Sequence, residues 1–404
     1  MNPLEALAGI RVVDFCWVLA GPLGTRILAN FGAEVIRVES NARPDSVRQA
    51  PGPDGVPNPN LGNLFNDVNT GKLSLTVDLR EERGRELVRR LVATADVVTN
   101  NYRPGALERM GFGYEALCEL KPDIILLNMP GTHRDGPWRS RSTMGNIVMA
   151  ASGFNHLMGF PGRRPRGLGV AYPDFTSPYL MATAILAALR ERERTGAGQE
   201  LDLSQLSGMI ALLGVEWMQY RASGEQPERR ANRDPNYCPH APYPTRGEDE
   251  WCAIAVEGDE QWSELCALMG RPELARAERF ASHAARKANE DELDEIVSEW
   301  TRGRDHWALA ARLQQAGIAA AAVESLRDTL QEDPQLRDHY QRVRQPSDPD
   351  VEVVIDGEAI RFAGVEHRLV RAPMLGEHNE RVLCDMVGLS REEFDRLVVD
   401  GIVD

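Results

Sequence analysis

The 404-residue sequence has almost no lysine: Lys72, Lys121 and Lys287 are the three it contains, so nearly all of its 46 basic residues are arginine. Genomic base composition accounts for that bias, and arginine abundance alone is no sign of phosphate binding. No G-x-G-x-x-G follows the first strand-like segment and no G-x-x-x-x-G-K-[ST] occurs anywhere, which argues against NAD, flavin or P-loop nucleotide chemistry. The six cysteines (Cys16, Cys118, Cys238, Cys252, Cys266, Cys384) lack C-x-x-C spacing and sit mostly in apolar contexts. They read as reduced core residues of a cytoplasmic protein, with neither a metal site nor a disulfide framework expected. No apolar run reaches membrane-spanning length, and MNPLEALAGIRVVDF lacks the basic and apolar regions of a secretory leader. Acidic residues outnumber basic ones 61 to 46, a net charge of −15, so neither nucleic acid nor an anionic membrane is the expected partner. An anionic ligand must find a local basic patch.

What is present is an alternation of strand and helix patterns. GIRVVDF reads as a strand, WVLAGPLGTRILANFG as a helix and AEVIRVE as a second strand. LSLTVDL, REERGRELVRRLVATA, DVVTNN, ALERMGFGYEALCEL and DIILLNMPG continue the pattern. Such alternation predicts a parallel sheet with crossover helices, here a Rossmann-like doubly wound α/β domain over about residues 1–220. From Arg221 the chain turns polar and proline-rich, which predicts a linker into a smaller α+β domain running to about residue 330. Past residue 331 a loop-rich stretch follows, with a hairpin expected at VEVVIDGEAIRF around the turn dipeptide Asp356-Gly357.

The stretch from Ala171 to Leu206 stands out. Ser177-Pro178 has the form of a helix opening, because serine caps orphan N–H groups and proline has none to lose. YLMATAILAAL is apolar on nearly every side and predicts a deeply buried helix, which RERER returns to solvent and Gly196 ends. A short strand at Leu201 and Leu203 and one further apolar helix, QLSGMIALLGVEWMQY, follow. Asp174 then lies three residues ahead of the cap, near unpaired N–H groups and without a structural task of its own. The competing reading is a loop acid or second cap.

An Asp followed by a small polar stretch, ILAAL, a charged helix end and T-G-x-G-Q resembles the catalytic segment of the class III CoA-transferases. That family contains formyl-CoA transferase, L-carnitine CoA-transferase and the bile-acid-inducible protein F. LAGPLGTRILANFGAEVIRVE, NTGKLSLTVDL, NYRPGALERMGFGYEAL, GPW and the tail APMLGEHNERVLCDMVGLSREEFDRLVVDGIV resemble family phrases in the same order, from Gly9 to Val403. The resemblance implies a large CoA-binding domain closed by residues 331–404, a smaller inserted domain, and an interlocked homodimer.

It also implies a reaction. Coenzyme A, bound as a thioester and with no metal required, moves from an acyl-CoA to a free carboxylic acid. The carboxylate of Asp174 attacks the thioester and forms an acyl-aspartyl anhydride, which demands an ionised acid shielded from water. An unperturbed Asp, with a pKa of about 3.9, needs no partner base, and backbone N–H groups at the helix start would hold the oxyanion. The resemblance places Val18 on the pantetheine wall, Arg80 and Arg109 near the phosphates, and Met110 beside the adenine. Ser40 and Leu19 replace an arginine and a glutamine of the formyl-CoA enzyme, and its glycine-rich lid is absent between Tyr237 and Glu250, so a different acyl pair is expected. Three alternatives stand beside this reading. A 2-methylacyl-CoA racemase needs two acid/base groups, and Met144 or Gly145 occupies its histidine's place. The others are a CoA-thioester lyase or hydratase and one subunit of a heteromeric transferase.

Overall fold

A computed structural model of the chain describes residues 3–52 and 55–404. The chain forms two compact units, one of Met1–His156, Gly167–Pro227 and Asp338–Asp404, the other of Leu157–Arg166 and Glu228–Arg337.

In the first unit six strands form one sheet: β1 (Arg11–Asp14), β2 (Glu34–Glu39), β3 (Leu73–Thr76), β4 (Val97–Asn100), β5 (Ile125–Asn128) and β6 (Gln199–Asp202). Their order is β3-β2-β1-β4-β5-β6 and every pairing is parallel. This is the doubly wound order, with the direction of winding reversed between β1 and β4. The central strands carry apolar residues on both faces because helices cover both: Val12, Val13, Val97, Val98, Ile125 and Leu127 are fully buried. Helix Ala20–Asn30 and the inner side of helix Tyr172–Thr195 contribute Leu28, Met181 and Ile185 to one apolar cluster. Helix Glu82–Val92 and the C-terminal residues Val382, Leu383, Phe394 and Leu397 contribute to another. The chain end also finishes the sheet edge, where Val77 bridges Val403 and the Thr76 N–H donates to Asn379 Oδ1 at 2.8 Å.

Four local expectations need correction. The helix carrying Asp174 begins at Tyr172, not after Ser177: Pro173 fits its first turn without cost, and Pro178 lies inside it. Its apolar residues are not all buried; Met181, Ala182, Ile185, Ala188 and Leu189 are, whereas Tyr179, Leu180 and Leu186 face outward. QLSGMIALLGVEWMQY makes two helices, Gln205–Ala211 and Gly214–Ser223, and the second buries none of its residues. The hairpin pairs β10 (Gln341–Gln345) with β11 (Asp348–Ile355), so the turn is at Pro346-Ser347, and Asp356-Gly357 merely follows β11.

In the second unit β7 (His240–Pro244), β8 (Trp251–Ala255) and β9 (Ala319–Val323) form an antiparallel sheet. Tyr243, Trp262, Phe280, Leu293 and Leu313 fill its core with side chains from helices Asp259–Met269, Glu290–Thr301 and His306–Gln315. β7 lies within the stretch read as a linker. All six cysteines are free, and four are buried.

Candidate active site

A cavity of about 920 Å³ opens in the first unit where the parallel strands end. Its walls include the residues that follow β1 (Phe15, Trp17, Val18), β2 (Ser40), β3 (Val77 to Arg80), β4 (Asn101 to Arg103) and β5 (Met129, Gly131). Doubly wound sheets bind ligands here, outside the carboxyl ends of the strands at the point where the winding reverses. Val18, Arg80, Arg109, Met110 and Asp174 all line this cavity.

The turn after β1 is held in an unusual shape. Val18 has φ 65°, a left-handed conformation that a β-branched residue avoids. Its N–H donates to Asp45 Oδ2 at 2.9 Å, and Asn101 exchanges two 2.8 Å hydrogen bonds with the backbone of Trp17. Asp45 is paired in turn with the buried Arg37. From there a fully buried network runs on. Arg37 bonds Asn69 (2.7 Å), Lys72 bonds Asn69 (3.0 Å) and Asp14 (3.2 Å), and Glu39 takes Arg48 (2.7 Å). Burial of charge is tolerated because each is paired: salt partners hold the carboxyls of Asp14 and Glu39 below the usual carboxylate range, though burial pulls the other way. Burial drags the Lys72 ammonium down to about 8. This network is the rigid bed under the Val18 turn.

Four arginines, Arg43, Arg80, Arg103 and Arg109, stand on the cavity wall. Arg80 is engaged with Asp78 by a forked pair (2.9 and 2.6 Å) and is largely exposed, so an anion there would compete with Asp78. Arg43 lies over the Trp17 ring, 5.2 Å from its centroid. Among the described residues Arg43, Arg103 and Arg109 make no ion pair. Sequence reading missed Arg43 and Arg103; the one available signal was that each lies within a few residues of a strand end.

Asp174 is the third residue of its helix and half-buried. Its N–H donates to Ala171 O at 2.8 Å, but its carboxylate has no hydrogen bond or ion pair among the described residues. It rests against Gly145, where a Cβ would fall 2.7 Å from Asp174 Oδ2 and 2.6 Å from Ala171 Cβ. Burial without compensation raises its pKa to about 6, against the unperturbed value expected from sequence. The acid is still mostly ionised at pH 7, and more basic than an ordinary aspartate. Nor does the helix start offer the free donors expected of it. Tyr172 N–H is bound to Val170 O (3.1 Å), Asp174 N–H to Ala171 O, and Pro173 has none. Among the described residues no histidine lines the cavity, and Met144, where a racemase histidine would stand, is 74% exposed.

Strand-end arginines and an unpaired acid share one cavity at the end of a doubly wound sheet that lacks a glycine fingerprint. The chain belongs to CoA-transferase family III, whose model matches residues 7–379, and it is a class III CoA-transferase. It is 33% identical over 413 residues to the succinyl-CoA–D-citramalate CoA-transferase of Chloroflexus aurantiacus, covering 100% of this chain and 99% of the relative. It is 34% identical over 395 residues to the succinate–glutarate CoA-transferase of Agrobacterium fabrum, covering 96% and 98%. A solved CAIB/BAIF family protein from Brucella suis superimposes with a TM-score of 0.84 at 35% identity, covering 95% of this chain and 99% of that one. Among the described residues no helix is long and apolar enough to cross a membrane.

Proposed function

We propose that the protein moves coenzyme A between an acyl-CoA and a free carboxylic acid through an anhydride on Asp174. The observation that carries this reading is the carboxylate itself: half-buried, unpaired, pressed against Gly145 and facing a cavity large enough for a CoA thioester. One carboxylate oxygen bonds to the thioester carbonyl carbon, the carbonyl electrons pass to oxygen, and their return expels the CoA thiolate. The acceptor carboxylate then attacks the Asp174 carbonyl carbon of the anhydride and displaces the donor acid as its free carboxylate; the thiolate attacks the acceptor's carbonyl carbon, which forms the new thioester and frees the Asp174 carboxylate. Dicarboxylic acids of the succinate and glutarate size are the proposed substrates, by likeness to the relatives' names.

Val18 is proposed for the pantetheine wall, Arg109 for the phosphates with Arg80 in a lesser part, and Met110 for the adenine. The racemase and lyase readings are disfavoured by the lack of a second acid/base group beside Asp174.

The domain reading is likewise a proposal: a large domain of residues 1–220 and 331–404 with a smaller one inserted at 221–330, in a cytoplasmic, interlocked homodimer. The outward Tyr179, Leu180 and Leu186 and the exposed Val215, Trp217 and Met218 support a second copy as their cover. Light scattering at low micromolar concentration should give twice the 44.9 kDa chain mass; a fully active monomer would refute the dimer, and a requirement for a second, related chain would favour the heteromeric alternative. For the mechanism, wild-type enzyme incubated with succinyl-CoA and hydroxylamine should gain a hydroxamate on the peptide containing Asp174. Exchange of the substrate's 2-hydrogen with deuterated water, without that adduct, would overturn the transferase chemistry in favour of racemisation.

A further inference from the structure

We infer that the side-chain amide of Gln205 is a catalytic hydrogen-bond donor that meets the thioester carbonyl oxygen as Asp174 attacks. The inference rests on the reading of Asp174 as nucleophile. Gln205 opens the helix that follows β6, lines the same cavity and is only 7% exposed. Its side-chain amide nevertheless makes no hydrogen bond among the described residues. The amide is not sealed away from the cavity, so it stays free to meet a ligand there. It is not needed as a cap, because Ser204 Oγ already accepts from Ser207 N–H at 3.3 Å.

Its position is fixed by backbone. Gln205 N–H donates to Pro130 O (3.1 Å) and Leu206 N–H to Gly131 O (3.0 Å), pinning this helix start to the exit of β5. Gly131 packs directly on Thr143, two residues before Gly145, on which the Asp174 carboxylate rests. Backbone bonds and the Gly131–Thr143 contact thus tie the helix start at Gln205 to the segment that leads into Gly145. The start of the Asp174 helix has already spent the N–H groups that sequence assigned to the oxyanion, and Gln205 offers a side-chain donor from another wall of the cavity. When the Asp174 oxygen bonds to the carbonyl carbon, the π electrons move to the carbonyl oxygen, and Gln205 Nε2–H donates to it. The negative charge returns when the C–S bond breaks and CoA leaves as thiolate. The amide neither gains nor loses a proton, and the same contact serves the reverse attack. A donor already in place and partly dry is the arrangement that favours the transition state most.

The test uses full-length Gln205→Met, which keeps the packing and deletes the donor, and Gln205→Glu, which keeps the shape and puts an acceptor in the donor's place. Single-turnover acylation of Asp174 by succinyl-CoA, steady-state kcat and KM, and melting temperature are measured. Both variants should acylate roughly 100–1,000-fold more slowly, with KM for acyl-CoA changed less than about threefold and folding retained. If Met fails to fold, Glu carries the test alone. Acylation within threefold of wild type in a folded variant overturns the inference, as does a loss confined to KM for the acceptor acid. If Asp174→Asn still transfers CoA, the nucleophile reading falls regardless of Gln205. If Asp174→Asn is dead while Gln205→Met acylates normally, only the role of Gln205 falls.

Discussion

The N–H of Val18 reaches Asp45 Oδ2 across 2.9 Å, and that contact keeps a β-branched residue at φ 65° on the wall of the cavity. A left-handed valine costs about 1–3 kcal/mol, and the buried Asp45–Arg37 pair beneath it holds the shape. Glycine relieves the strain but loses more chain entropy on folding, so Val18→Gly should lie within about 1 kcal/mol of wild-type stability. Asp45→Ala should lose about 3–5 kcal/mol, because Glu39, 3.4 Å from Arg37, is already shared with Arg48, so the buried network is left with one cation too many. Urea unfolding of both variants checks the pair, and a Val18→Gly loss as large as that of Asp45→Ala would show that the turn is not strained. KM for acyl-CoA should rise several-fold in Val18→Gly as the wall slackens.

Gly145→Ala should separate position from chemistry. The new methyl would lie 2.7 Å from Asp174 Oδ2, so the carboxylate must move, and a shift of about 1 Å at a reacting group costs on the order of 100-fold in rate. The expected result is a folded protein that binds CoA but transfers it at least tenfold more slowly. Wild-type turnover would mean that the acid is not held against this glycine.

Because its pKa is raised to about 6, Asp174 should impose a pH dependence of its own. kcat/KM should fall about tenfold per unit as pH drops below 6, since the protonated acid cannot attack. The stability effect has the opposite sense. A folded pKa above the unfolded value means that the native state holds its proton more tightly, so this group favours folding most when protonated. That advantage is lost as pH rises from about 4 through 6. Asp174→Asn should therefore be more stable than wild type by roughly 1–3 kcal/mol at pH 8 and little different at pH 4. Equal stability of the two proteins at pH 8 would show that burial does not perturb the acid.

CoA binding should be led by Arg109. Arg80 already shares its guanidinium with Asp78, whereas Arg109 has no ion-pair partner among the described residues. Calorimetry should show Arg109→Ala weakening CoA by more than fivefold and Arg80→Ala by less than threefold, with the Arg109 effect shrinking as salt is raised. The reverse ranking would assign the phosphates to Arg80.

Much of this architecture was legible beforehand because the parallel strands are short apolar runs bounded by clear turn signals: Val12, Val97 and Leu127 sit where periodicity predicted. Asp174 was singled out through its surrounding phrase, and it lines the cavity. Its half-burial and raised pKa could not be read, because burial depends on packing against residues distant in sequence, Gly145 among them. The helix start was misjudged because Ser177-Pro178 has the chemistry of a cap, while tertiary packing let the helix begin uncapped at Tyr172 and carry Pro178 inside it. Gln205 escaped notice because an amide at a helix start carries no motif; only the absence of a partner marks it. The outward face at Tyr179 was read as buried, since hydropathy cannot tell a protein interior from an exposed apolar surface.

Gly24 leaves room for Met181, whose sulfur would lie 2.5 Å from any Cβ added there. The helix that follows Val18 and the helix that begins beside Asp174 are therefore pressed together at a point where only hydrogen fits. On the proposed reading, the spacing between the Val18 wall and Asp174 is thus a gauge cut into the scaffold, not an adjustable gap. On that reading, acyl groups of different length would find their extra room toward Met144, which lines the cavity and is 74% exposed. Substrate range in this enzyme should then change by substitution along that open flank, while the reach of the nucleophile stays constant.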